Sequence, residues 1–232
     1  MMFDFEYKVM RRPNRKTAAV SVKDSSVRVH VPQRTSDKRV EEIVRRKARW
    51  IREKLRYNRE VRQSYRPKEY VSGEAFQYLG KNYRLKVVDG NSKDVSLVNG
   101  RFYVQIPDTL TGKTRDHRIV SRLTVWYQQH ALEHLQEKVR RFSAQLVVQP
   151  SHVGIKNYRS RWGSCTSRGE VYFNWRIIMA PQRIVDYVVA HEVCHLVHHN
   201  HSQEYWKLLE SVIPGYRECK DWLKVNGQVL EL

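Results

Sequence analysis

Five consecutive residues, His191-Glu192-Val193-Cys194-His195, carry the strongest chemical signal in the chain. On a helix, positions i and i+4 share one face, about 5–6 Å apart at Cβ. Two imidazoles so placed can hold one Zn²⁺. The carboxylate of Glu192 then lies near a water on that ion. Zinc lowers the pKa of the water, and the glutamate can take its proton. The spacing predicts metal-assisted hydrolysis with Glu192 as the catalytic base.

The third ligand must come from the next six residues, Leu196-Val197-His198-His199-Asn200-His201, or from just beyond them. His198 falls on the ligand face, but about 4.5 Å further along the axis, too far for an ion centred between the first two. His199 points further round the helix. Asn200 reads as a helix stop, since Asn tolerates a left-handed backbone. His201 lies past that stop, where the chain can fold back. Its spacing matches the last His of H-E-x-x-H-x-x-G-x-x-H, with His198 standing where that pattern has Gly. Glu204 is the alternative. The reading adopted is His191, His195 and His201 around one Zn²⁺ per chain, with an open fourth position.

Other chemically capable residues are weaker signals. Cys194 points away from the ligand positions and reads as core packing. Cys165 has no companion cysteine at metal spacing. His130 and His134 form another i, i+4 pair but lack a nearby third ligand, so they read as packing or surface. Hydrolysis needs a donor for the developing negative charge. Arg159, Arg161, Arg176 and Tyr205 are the candidates.

These residues need elements to position them. Leu146–Val148, Val153–Ile155 and Glu170–Ile178 read as strands, with Thr166–Gly169 as a turn. Pro181 opens the metal helix, where its missing N–H is harmless. Ile184, Val185, Val188, Val189, Val193 and Leu196 are its buried side. Ser202 caps the next helix, Pro214-Gly215 breaks the chain, and a last helix carries Cys219, Trp222 and Leu223.

Upstream, residues 17–31 alternate apolar with polar and are interrupted at Asp24-Ser25-Ser26, a hairpin pattern. Ser36 or Asp37 caps a helix whose apolar positions are Val40, Ile43, Val44, Trp50, Ile51 and Leu55. Phe76–Leu79, Tyr83–Val88, Val95–Val98 and Phe102–Ile106 read as strands, with Asn99-Gly100 as a two-residue hairpin turn. A long helix is expected over Thr114–Phe142, burying Ile119, Leu123, Trp126, Ala131, Leu135 and Val139. The expected fold is α+β, with an N-terminal region of hairpins and a long helix (1–110) and a C-terminal domain (111–232) in which a small sheet packs on the metal helix.

The chain has 232 residues, is 41% hydrophobic and carries a net charge of +19. That hydrophobic content suits a folded protein rather than a disordered one. The charge predicts attraction to polyanions: nucleic acid, nucleotides, anionic membrane or acidic proteins. Much of it lies between Lys38 and Arg59, which could bind phosphates or be an ordinary solvated helix face. Three widely spaced cysteines do not make a disulfide framework. No signal peptide and no spanning helix is legible. The expected location is the cytoplasm, without membrane attachment. Nothing indicates an oligomeric state.

The stretches Tyr158-Arg159-Ser160-Arg161-Trp162-Gly163-Ser164-Cys165, Asn174-Trp175 and His191 to Trp206 resemble the YgjP-like metallopeptidase family, which is related to the SprT-like and WLM zinc proteases. Tyr70-Val71-Ser72-Gly73-Glu74 also looks like the family. The resemblance implies a zincin-like C-terminal core, His191, His195 and His201 as ligands, and Glu192 as base. It adds Trp162 and Asn174 to the candidate substrate-binding or transition-state residues. It implies a peptide or protein substrate, laid in extended form along the strand around Tyr172 to Arg176, since zincins commonly hold substrate on a sheet edge beside the metal helix. Some relatives are instead described as pyrophosphatases acting on UTP, a reaction that would want Mg²⁺ on the nucleotide. The non-enzymatic alternative is a basic nucleic-acid-binding module with a structural zinc, which would need a fourth protein ligand.

Overall fold

The structure is a computed structural model that describes residues 3–23, 26–64 and 68–232. The chain divides into two compact units, 1–67 and 68–232.

In the first unit, β1 (Tyr7–Arg12), β2 (Ala19–Lys23) and β3 (Ser26–Pro32) form a sheet in the order β1-β3-β2, followed by α1 (Asp37–Ser64). β2 and β3 pair antiparallel as the alternation predicts; Asp24 and Ser25 lie outside the described residues. β1 runs parallel to β3 and went unread in the sequence. Half of its six residues are Lys or Arg, which hides the alternation. The Ser36 hydroxyl accepts a hydrogen bond from the Arg39 amide at 3.3 Å and caps α1. Val27, Val29 and Val31 on alternate positions of β3 bury against Val40, Ile43, Val44 and Ile51. Trp50 is not part of this core: it is 39% exposed, because the helical phase that buries Ile51 and Ala48 turns its neighbour outward.

The second unit begins with β4 (Ala75–Tyr78), β5 (Lys81–Val88), β6 (Val95–Val98) and β7 (Arg101–Gln105), in the order β4-β5-β7-β6. Asn99 and Gly100 both take positive φ, 48° and 75°, as the tight β6–β7 hairpin requires. α2 (Gly112–Leu146) buries Ile119, Leu123, Trp126, Ala131, Leu135 and Val139, the expected stripe. Phe102 packs edge-on to Trp126 at 4.8 Å, and the buried Tyr127 hydroxyl donates to the Gln77 carbonyl at 2.6 Å. This sheet shares a core with α2.

Beyond α2 come β8 (His152–Lys156), β9 (Gly163–Cys165), β10 (Glu170–Asn174), a 3₁₀ turn (Trp175–Met179), α3 (Gln182–Cys194), α4 (Gln203–Val212) and α5 (Tyr216–Asn226). The fold is α+β, with five helices and three small sheets among the described residues. Three local expectations are corrected. Leu146–Val148 is no strand: α2 runs through Leu146, and Val147 is a left-handed cap at φ 53°. A short apolar run at a helix end looks like a strand. The strand from Glu170 stops at Asn174, whose side chain accepts from the Arg176 amide at 3.2 Å and starts the 3₁₀ turn. α3 ends at Cys194, before Asn200, with His195 as its cap.

The turn between β4 and β5 is tied to the start of α3. The Leu79 amide donates to the Ile178 carbonyl at 2.7 Å, and a Cβ on Gly80 would lie 2.7 Å from the Pro181 Cα. Gly80 also has φ +77°. Gly80→Ala is therefore expected to destabilise this unit by about 2–4 kcal/mol, combining left-handed strain with a clash on backbone. A thermal midpoint within about 1 °C of wild type would contradict this.

Candidate metal centre

Ile184, Val185, Val188, Val189 and Val193 anchor α3 in the core. That phase leaves His191 in the last turn of α3 and His195 at its cap, still helical at φ −68° and ψ −16°. The i, i+4 relation survives, with ring centroids 5.1 Å apart. The chain then tightens: the amides of Val197 and His198 both donate to the Cys194 carbonyl, at 3.1 and 3.0 Å. It returns His201 to the site just before α4. The nearest ring nitrogens of His191 and His201, both Nε2, are 3.2 Å apart, and one ligand nitrogen from each of His191, His195 and His201 falls within 4.8 Å of the others.

This donor set fits zinc. Two tetrahedral ligands at Zn–N distances of about 2.0–2.1 Å are separated by about 3.3 Å. The His195 Nδ1 lies 3.0 Å from the His198 carbonyl. Donation to that oxygen leaves Nε2 as the free lone pair. His198 thus serves the site through its backbone, not its imidazole. Burial, followed by the neighbouring His195, His201 and Lys220, pushes His191 down to about 3. His195 and His201 are also lowered, chiefly by burial. All three imidazoles favour the neutral form that binds metal. Glu204 is not part of the group; its exposed carboxyl is held low by the Ser202 hydroxyl. His130 instead stacks on Trp126, and its Nδ1 lies 2.9 Å from the Trp126 carbonyl.

α4 supplies aromatic walls. Ser202 caps it, accepting from the Tyr205 amide. Tyr205 is fully buried, stacks on His195 at 4.6 Å and donates its hydroxyl to the His191 carbonyl at 3.0 Å. That hydroxyl is engaged by the His191 backbone. Trp206 stacks on His201 at 5.1 Å and is backed by Tyr216 at 5.2 Å. In the sequence Trp206 stands at the end of a family-like stretch; its spacing of five residues from His201 is the only signal for this role. Tyr205→Phe is expected to weaken zinc affinity about tenfold by loosening the His191 turn. A competitive chelator titration measures it, and unchanged affinity would contradict the role.

Glu192 is 6% exposed. Burial raises its carboxyl to about 8, against the opposing pull of Arg161. β9 passes directly against it: a Cβ on Gly163 would fall 2.5 Å from both Cγ and Oε1 of Glu192. Gly163 was quoted only as part of a motif, and the need for a side-chain-free position there is visible only in three dimensions. Cys165, on the same strand, is pushed up to about 11 by burial and by the Glu192 charge, so its thiol stays protonated.

The sheet order is β8-β10-β9, so β10 is paired on both sides and β8 and β9 are the edges. The strand around Tyr172–Arg176 therefore offers no free edge to a substrate. Asn174 is buried and holds the loop before β9. Its Nδ2 donates to the Tyr158 carbonyl at 3.0 Å, and its amide to the Trp162 carbonyl at 2.8 Å. The Trp162 ring packs over Gly227. Arg176 is engaged by Asn157 and lies 4.4 Å over the Trp175 ring. Arg159 is exposed on the loop. Of the candidate arginines, Arg161 is the one whose charge reaches Glu192.

The geometry can be set beside known proteins. Among solved structures, the chain is similar to the metallopeptidase zymogen abylysin of Pyrococcus abyssi, at 19% identity and a TM-score of 0.37, over 41% of this chain and 94% of that one. That likeness is too slight to bear on function. Curated proteins give no match. The model of the YgjP-like metallopeptidase domain matches residues 16–226, which takes in α1, the loop before β9 and the whole histidine cluster. Matched over that span, the chain belongs to the YgjP-like metallopeptidase family.

Proposed function

We propose that this protein is a zinc-dependent peptidase in which His191, His195 and His201 hold the ion and Glu192 is the general base. The observation that carries the reading is the convergence of three imidazoles beside a buried carboxyl group, within a metallopeptidase-family chain. When bound, zinc supplies Lewis acidity, lowering the pKa of a water to about 7 and polarising a carbonyl. Burial alone favours the protonated carboxyl, and a cation held by the three histidines would offset that and keep Glu192 ionised; in that form Glu192 would accept the proton of the attacking water and pass it to the leaving nitrogen. Burial keeps bulk water from competing for that carboxylate.

An extended peptide would add to the free edge of β9, where backbone pairing places it alongside Gly163 and Glu192. Arg161 is the candidate donor to the developing oxyanion. The test is cleavage of an unstructured protein such as casein, run in parallel with nucleoside triphosphates. Chelator-sensitive proteolysis that depends on Glu192 supports the reading. Diphosphate release without proteolysis would replace it with the nucleotide alternative, which the family match does not support. Among the described residues, no helix is long and apolar enough to cross a membrane.

A further inference from the structure

The positive charge is unevenly distributed. Residues 1–67 hold 20 Lys and Arg against 8 Asp and Glu, a net +12 of the chain's +19. The described residues of this unit hold no cluster of metal-binding side chains. Its most charged element is α1. The apolar side of α1, Val40, Ile43, Val44 and Ile51, is spent on the unit's own core.

On the exposed side, Arg39, Arg45 and Arg49 pair with Glu42, Glu41 and Glu53 of the same helix. Such exposed pairs are weak, and an arginine can leave one for a phosphate. Arg46 and Lys47 have no carboxylate within ion-pair distance among the described residues. Trp50 stands next to them, 39% exposed, with the Lys47 Nζ 5.6 Å from its ring. Arg46 and Lys47 precede Trp50 by four and three residues, and Lys54 lies four residues after it. Helical geometry puts all of them on one side.

We propose that this face of α1 is a binding surface for single-stranded nucleic acid, with Trp50 stacking on an unpaired base and Arg46 and Lys47 contacting the phosphates on either side. An exposed indole with a cation near its ring and further cations on the same helix face combines sequence-tolerant stacking with backbone attraction. An anionic membrane is the poorer partner. Interfacial helices need an apolar face to insert, and Trp50 is the one large exposed apolar residue among the described side chains of α1. A duplex is also poorer, because its bases are not free to stack. The inference does not depend on the peptidase reading.

The test uses the full chain and a fluorescein-labelled single-stranded oligonucleotide of about 20 nucleotides, as DNA and as RNA, with binding read by anisotropy. Binding is expected to fall steeply between about 50 and 200 mM salt. Trp50→Ala is expected to weaken it about tenfold, and Trp50→Phe to restore most of the loss. The double change Arg46→Ala, Lys47→Ala should lower the salt slope by about 2. These are exposed positions, so thermal midpoints should be unchanged. Binding of either single strand with these dependences supports the proposal. No binding, equal loss with Phe and Ala at position 50, duplex binding as tight as single-strand binding, or tighter association with phosphatidylserine-containing vesicles overturns it.

Discussion

Glu192→Gln is expected to reduce turnover by about 10²–10⁴-fold while leaving bound zinc in place. Gln has the shape of Glu but cannot take a proton. The buried slot beside β9 that holds Glu192 accepts it without a steric cost. The three histidines are untouched, so metal content per chain should match wild type. Loss of activity together with loss of metal would mean that Glu192 helps to build the site instead of acting in it. Full activity with metal retained would remove Glu192 from the chemistry altogether.

Gly163→Ala should produce a comparable defect from the opposite side of the same contact. The added Cβ falls 2.5 Å from Cγ and Oε1 of Glu192, closer than real Cβ atoms approach, so the carboxylate or β9 must move. A displacement of about 1 Å at a reacting group costs on the order of 10²-fold. Zinc should remain, because Gly163 touches none of the three histidines among its nearest contacts. The effect should appear in kcat with short peptides, and also in KM if β9 is the strand on which the substrate lies. An Ala variant with wild-type kinetics would mean that β9 is not held against Glu192 in the working enzyme.

Much of this was legible in one sequence because local physics dictated it. The stripe on α2 needed only the helical period, and Asn99-Gly100 needed only a turn that demands positive φ twice. The ligand spacing in His191–His195 is local, and the choice of His201 over His198 rested on rise per residue; the structure brings His201 and not His198 into the cluster. What escaped depends on contacts distant in sequence. β1 pairs in parallel with β3, and parallel partners leave no turn signature. The shared core of the β4–β7 sheet and α2 is likewise a matter of packing between distant segments. Trp50 is apolar and one step from the buried stripe, so periodicity read loosely takes it inward. The partner of the candidate donor Tyr205, the His191 carbonyl fourteen residues away, is visible only in three dimensions.

The most direct test is a crystal of the zinc-loaded protein, with diffraction collected on both sides of the zinc absorption edge. A single anomalous peak is expected about 2.0–2.1 Å from one nitrogen each of His191, His195 and His201, with the fourth position free of protein ligands. A peak bound by other residues, a fourth protein ligand closing the site, or no peak from protein that contains zinc would contradict the assignment.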